Sequence, residues 1–251
     1  MTNTKCSRAV ILAAGGGARV RSLATDRPKC LIDMGGKPII HWVLRALAEG
    51  GITSVLFVTG FGAPALKGAL GTGKSHGLEI RYIHNPEWTK PNGLSLYAAR
   101  RAFGKHESFL ALMSDHLLPP SIIAEVAGAR TPRCVLAVDT DIGRVFDISD
   151  ATKVRLEDGR PVAIGKKLRT YNAVDCGLFR FDSRVFSALK QALDKDRMAL
   201  TDGVRILIQN GDLDVIPVNK MFWIDIDTPK AHRQALRSMD IFMSDFKGKS
   251  R

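Results

Sequence analysis

From Ala9 to Val138, short β-rich runs alternate with helical stretches, and that alternation constrains the chain more than any other feature. Ala9-Val10-Ile11-Leu12 is continuously apolar and is followed by Gly15-Gly16-Gly17, the pattern of a buried strand ending in a glycine loop. Pro38 to Leu47 places Ile39, Val43, Leu44 and Leu47 on one face of a helix, with Pro38 near its start. Val55 to Val58 reads as a second strand, Ala65 to Leu70 as a short helix, Leu78 to Ile83 as a third strand and Leu94 to Phe103 as another helix. Phe109 to Met113 is a fourth strand, Ile122 to Val126 opens a helix, and Cys134 to Val138 is a further strand. Such alternation implies a parallel sheet covered by helices on both faces.

Past residue 150 the texture changes. Thr152 to Leu156 and Pro161 to Ile164 flank Asp158-Gly159, the signature of a β-hairpin with an Asp-Gly turn. Val174 to Phe181 reads as a strand, Val185 to Leu193 as a helix, and Ile206 to Asn210 as the end of another, capped by Gly211. Leu213 to Val218 and Phe222 to Ile226 are expected strands. A final helix is expected from Pro229 to about Met243, with Asp227 or Thr228 as N-cap. No repeat, low-complexity segment or linker interrupts the chain, which reads as one α/β domain over residues 1–251 with a mixed-sheet hairpin appendage.

Composition narrows the class of function. The 251 residues are 45% hydrophobic and 25% charged, ample for a sizeable core. A mean hydropathy of −0.02 excludes a largely disordered chain and a membrane protein, and no apolar run reaches the roughly 18 residues a bilayer span needs. Met1 to Lys5 is short and polar and leads to a glycine-rich loop where a leader would carry a small-residue cleavage site, so secretion is not expected. Cys6, Cys30, Cys134 and Cys176 lie far apart with no Cys-x-x-Cys pair, as expected of reduced thiols in a cytoplasmic protein. Thirty-seven Lys and Arg against 25 Asp and Glu leave a net +12, which calls for a polyanion: nucleic acid, an anionic membrane surface or a phosphorylated substrate. The basic residues are dispersed, and neither a basic helix nor an aromatic platform for nucleic acid stands out.

Three motifs carry chemistry. Leu12-Ala13-Ala14-Gly15-Gly16-Gly17-Ala18-Arg19, with Pro28-Lys29 beyond it, suits phosphate: bare glycine N–H groups approach the oxygens while Arg19 and Lys29 add charge. The alternative is a plain glycine turn, and the spacing fits neither a Walker loop nor the full dinucleotide fingerprint. Ser114-Asp115-His116 directly follows a central strand, where open α/β sheets bind ligands. Asp115 is either a hard oxygen ligand for Mg²⁺ or the cap of a following turn. In Trp223-Ile224-Asp225-Ile226-Asp227, strand alternation aims Asp225 and Asp227 at the same side, where two carboxylates repel unless a cation intervenes. Asp227 has the alternative role of helix N-cap.

The glycine loop with Arg19 and Pro28-Lys29 resembles the sugar nucleotidyltransferase superfamily, of glycosyltransferase-A type. Asn85-Pro86, Asn92-Gly93-Leu94-Ser95, Met113-Ser114-Asp115-His116, Asp150-Ala151-Thr152-Lys153-Val154, Ile164-Gly165-Lys166, Val174-Asp175-Cys176-Gly177 and Asp225 to Pro229 are similar to CTP:inositol-1-phosphate cytidylyltransferases. The similarity runs from about Arg8 to Ala235. Two positions depart from the pattern: Ala18 stands where a Thr is usual, and so does Cys176.

The resemblance implies a Rossmann-like three-layer α/β/α fold with a mostly parallel mixed sheet. It divides the chain into a nucleotide-binding half to about residue 140 and an acceptor-binding, metal-completing half from about residue 141. It implies an enzyme moving CMP from CTP to inositol-1-phosphate, yielding CDP-inositol for phospholipid synthesis. Leu12, Ala13, Ala14, Gly15, Gly16, Gly17, Arg19 and Lys29 would hold the nucleotide with Asn92, Gly93, Ser95 and Ser114. The base would lie between Ala13-Ala14 and Asn92 to Ser95, with simple helix capping as the alternative role of Asn92 and Ser95. Asp115, Asp225 and Asp227 would hold Mg²⁺, and Lys166 the acceptor phosphate. Asp139 and Asp175 are candidates for the polyol hydroxyls, and His116 for a substrate contact or a structural hydrogen bond. Neighbouring alternatives are another alcohol phosphate or a sugar-1-phosphate as acceptor; a non-catalytic nucleotide-binding module is the alternative from a different class. Many relatives fuse this domain to a membrane-embedded CDP-alcohol phosphotransferase; with the chain ending at Arg251, that partner is expected to be a separate protein.

Overall fold

A computed structural model describes residues 6–20, 22–23, 27–218 and 221–247; the polar start Met1 to Lys5 lies outside them. The alternation of the first half is realised closely. Strand β1 (Arg8–Ala13) leads through the glycine loop to helix α1 (Ile39–Glu49), then β2 (Ser54–Thr59), α2 (Ala63–Leu70) and β3 (Glu79–His84). Helix α3 (Asn92–Ala98) is shorter than expected, its last turn tightening into a 3-10 segment over Ala99–Ala102. β4 (Phe109–Met113) follows, then a two-residue strand β5 (His116–Leu117), α4 (Pro120–Ala127) and β6 (Cys134–Asp139).

The hairpin is β7 (Lys153–Glu157) and β8 (Arg160–Gly165), with Asp158 (φ 49°) and Gly159 (φ 74°) both left-handed, as the turn residues foretell. It is stitched to the main sheet, because the nine-residue β9 (Ala173–Phe181) extends far enough to pair with β7 at Lys153–Val174. Helices α5 (Arg184–Leu193) and α6 (Leu200–Gln209), strands β10 (Leu213–Pro217) and β11 (Ile224–Asp225), and helices α7 (Pro229–Arg237) and α8 (Met239–Lys247) complete the order.

The main sheet runs β10-β6-β9-β4-β1-β2-β3, and β9 alone in that row is antiparallel to its neighbours. Successive residues of β1 face opposite layers: Ile11 joins the core under α1 and α4, and Val10 the core under α3, α5 and α6. From β1 the chain goes outward to β2 and β3, then returns to β4 on the other side of β1. The carboxyl ends of β1 and β4 therefore border a switch point, where such sheets bind ligands. Because β9 runs the other way, its early residues Asp175 and Gly177 reach the same edge.

Two expectations are corrected here. Phe222 to Ile226 is a strand only at Ile224–Asp225, since its one partner, β5, has two residues. The C-terminal helix is two: α7 ends at Ser238, whose backbone leaves the helical range (φ −102°, ψ 8°), and α8 then docks Phe242 and Phe246 in the core. Asp245 anchors it by accepting from Ser121 N and Oγ at 3.0 and 2.9 Å. No helix among the described residues is long and apolar enough to cross a membrane.

Candidate active site

Two cavities open side by side at the carboxyl edge of β1 and β4. The first, about 320 Å³, is lined by Leu12, Ala13, Ala14, Gly15, Gly17, Arg19 and Lys29 from the N-terminal loop, and by Asn92, Ser95, Ser114, Asp115 and Asp227 across from it. The second, about 230 Å³, is lined by Asp115, His116, Asp150, Lys166, Asp175, Asp225 and Asp227. They share Asn92, Met113, Asp115 and Asp227, so the two spaces meet at a pair of carboxylates.

The glycine loop sets the first wall. Gly17 sits at φ +58°, and a Cβ there would come 2.9 Å from Lys29 Cβ, so glycine lets Lys29 close on the loop. The Lys29 side chain is only 9% exposed, an arrangement that requires paired charge. Its ammonium reaches Asp115 Oδ2 at 2.5 Å and also binds Asp227. Arg19 bonds Asp227 at 2.5 Å and Asp150 at 2.6 Å, and Asp150 in turn accepts from Lys166 at 2.9 Å. Burial opposes charge on Lys29, yet Asp115 and Asp227 hold its pKa above the ordinary lysine value. On Asp115 the same contest ends with the carboxyl held far below its usual range: burial pushes it up, while Lys29 and His116 pull it down.

The two-residue pair β5–β11 makes the acidic cluster. Its register sets Asp225 opposite His116, and Ile226 N–H donates to Asp115 O at 3.0 Å. His116 Nδ1 lies 2.7 Å from Asp115 Oδ1; burial disfavours the imidazolium, but Asp115 and Asp225 bring its pKa up to about 9. Asp225 makes no hydrogen bond or ion pair with another described residue, and burial with the nearby charges of Asp227 and Asp115 raises its pKa. Among the described residues no three His, Cys, Asp or Glu side chains form a ready metal cage, and Lys29 and Arg19 occupy oxygens of Asp115 and Asp227. Asp115, Asp225 and Asp227 do bring hard carboxylate oxygens to the wall of one cavity, the ligand type a divalent cation such as Mg²⁺ takes.

Several sequence alternatives are decided. Thr228 caps α7, accepting from Ala231 N at 3.1 Å, so Asp227 is free for Arg19 and Lys29. Asp227 also stands beyond the strand end, so strand alternation is not what sets it near Asp225. Asp115 bonds side chains and caps no turn. Neither Asn92 nor Ser95 caps α3: Asn92 Oδ1 accepts from Leu200 N at 3.0 Å at the start of α6, and Ser95 accepts from Asn85.

Three candidates are displaced. A Cβ on Gly93 would meet Met198 O at 2.5 Å, so this glycine admits the backbone before α6 and does not border the cavity. Gly16 is not among the residues lining the first cavity, and a Cβ there would come 3.4 Å from the Trp88 ring. Asp139 faces away from the second cavity, its carboxylate accepting from Trp223 Nε1 and Asp141 N, both at 2.9 Å. Asp175 does line that cavity and accepts from Gly177 N at 2.7 Å.

Sequence reading missed Trp88 and Lys90 in the first cavity and Thr152, Phe146 and Trp223 in the second. Their signal was position: Trp88 follows the end of β3, as Asp115 follows β4. All four cysteines are buried free thiols.

A doubly wound sheet with a glycine loop, buried cations and carboxylates at its switch point defines a nucleotide-binding α/β protein of the nucleotidyltransferase kind. Residues 9–207 match the MobA-like NTP transferase domain, and the chain belongs to that family. It is 34% identical over 229 residues to the "Bifunctional IPC transferase and DIPP synthase" of Rubrobacter xylanophilus, covering 88% of this chain and 49% of that protein. The Aquifex aeolicus protein of the same name is 32% identical over 224 residues, with the same two coverages. The chain thus spans about half the length of these relatives. In fold it matches the inositol-1-phosphate CTP transferase of T. maritima with a TM-score of 0.82 at 23% identity, over 95% of this chain and 97% of that one.

Proposed function

We propose that the chain, acting as one nucleotidyltransferase domain over residues 1–251, transfers CMP from CTP to inositol-1-phosphate, releasing pyrophosphate and forming CDP-inositol. The observation that carries this reading is the junction of the two cavities. A glycine loop with Arg19 and Lys29 lies on one side, Lys166 on the other, and Asp115 and Asp227 between them. The names of the relatives support the choice of CTP and inositol-1-phosphate.

An acceptor phosphate oxygen forms the new bond to the α-phosphorus of CTP while the bond from that phosphorus to the β-phosphate oxygen breaks. Both reactants are anions, so the protein's task is positioning and charge neutralisation. Arg19 and Lys29, with loop N–H groups, hold the triphosphate and stabilise the leaving pyrophosphate. Lys166 holds the acceptor phosphate, which is already largely dianionic near neutral pH and needs no general base. Asp175 offers acceptor oxygens to polyol hydroxyls. Asp115 and Asp225, with Asp227, would hold Mg²⁺, which supplies Lewis-acid neutralisation of phosphate charge when bound. We assign the work to the cytoplasm and the product to a membrane CDP-alcohol phosphotransferase.

Pyrophosphate release from CTP tests the reading, with inositol-1-phosphate, phosphocholine or glucose-1-phosphate as acceptor, each with Mg²⁺ or EDTA. Release with inositol-1-phosphate and Mg²⁺ alone is expected. Preference for another acceptor would replace the assigned substrate, and no release with any would remove the enzyme assignment.

A further inference from the structure

The lining of the first cavity includes the cations Arg19 and Lys29 on the one hand and the uncharged Ala13, Ala14, Trp88 and Ser95 on the other, with Lys90 as a third cation. On the reading just given, the triphosphate takes the former and the base the latter. Ser95 is 3% exposed and Asn85 4%. Asn85 Oδ1 accepts from the Glu87 backbone N–H at 3.0 Å, and since a backbone N–H can only donate, the amide orientation is determined. Its Nδ2 is therefore the atom 3.0 Å from Ser95 Oγ, and Ser95 must accept there. Among the described residues nothing accepts the Ser95 hydroxyl proton, which leaves it for the cavity. A buried hydroxyl with a spent lone pair and a free proton favours a ligand atom that accepts.

We infer that Asn85 is a positioning residue that sets Ser95 as a hydrogen-bond donor, and that this polarity selects cytosine over uracil at ring position 3. That nitrogen accepts in cytosine and carries a proton in uracil. With uracil, the N3–H could use only the second lone pair of Ser95, and the buried hydroxyl proton would go unpaired. This rests on the first cavity holding a pyrimidine nucleotide, but not on the identity of the acceptor.

Equilibrium binding of CTP and UTP, without acceptor, to wild type and to the Ser95→Ala and Asn85→Asp variants tests it. Wild type should prefer CTP by roughly tenfold or more. Ser95→Ala should bring the two nucleotides within about twofold by removing the donor. Asn85→Asp keeps the Glu87 bond but presents an acceptor to Ser95, turning the hydroxyl around, so the ratio should move toward UTP. A packing role alone would weaken both nucleotides together. An unchanged CTP-to-UTP ratio in both variants, with melting temperatures confirming folded protein, overturns the inference. A shifted ratio in a protein that does not turn over inositol-1-phosphate would count against the proposed acceptor alone.

Discussion

The His116 ring occupies the space a side chain at Gly177 would need: a Cβ there would lie 2.5 Å from His116 Cδ2 and 2.6 Å from Nε2. Gly177 also sits at φ +73°, where a side chain is strained in any case. The contact joins β9 to β5 and so fixes the imidazole that grips Asp115. Gly177→Ala should lower stability by about 1–3 kcal/mol and reduce turnover more than nucleotide binding, since it displaces His116 from Asp115 and leaves the glycine loop alone. Urea denaturation and pyrophosphate assays would check both.

Asp115→Ala should cut turnover roughly 100- to 1,000-fold with the far-ultraviolet circular dichroism unchanged, because Lys29 retains Asp227 as partner. Near-wild-type turnover would remove Asp115 from the reaction.

Lys166 lines the second cavity and not the first. Lys166→Ala should raise the acceptor KM roughly tenfold, the worth of one charge-assisted hydrogen bond, and that of CTP within about twofold. Equal rises would mean that Lys166 does not belong to the acceptor.

Burial pushes the Asp175 carboxyl up to about 6, against the pull of the Gly177 N–H. Its folded pKa thus exceeds its unfolded one, so the folded state holds a proton that the unfolded chain has released between about pH 4 and 6. Stability contributed here falls as pH rises through that window and is level above it. Asp175→Asn should therefore gain on wild type by about 2 kcal/mol between pH 4 and pH 7, read by urea unfolding at both. A constant difference between the two proteins would contradict the shift.

Arg180, beside Leu110 at the opposite edge of the sheet, is 5% exposed and donates to the carbonyls of Ala129, Thr131 (2.7 Å) and Arg133 (3.1 Å). Arg180→Met strands three carbonyls and should cost about 2–4 kcal/mol, visible as a drop of roughly 5–10 °C in Tm, with KM values unchanged at low temperature.

Much of this was legible because it is local. The apolar run Phe109 to Met113 is a strand end to end, and Asp158-Gly159 closes its hairpin. Periodicity and turn chemistry act between near neighbours, so residue order alone carries them.

What escaped has a common cause. The two-residue strands β5 and β11 have no period to detect, yet their pairing is what brings Asp225 beside Asp115. Asp139 looks like a contact for polyol hydroxyls until Trp223, 84 positions away, is seen to take its carboxylate. Asn92 and Ser95 suit a base or a cap equally well until Leu200 and Asn85 are seen bonded to them, and Gly93 suits a base until Met198 is seen against it. Composition and local pattern thus specified the strands, the turns and the kind of chemistry. Which carboxylates are free, which are paired and which way a buried proton points depended on partners many residues distant, because charge and hydrogen bonding act through space and not along the chain.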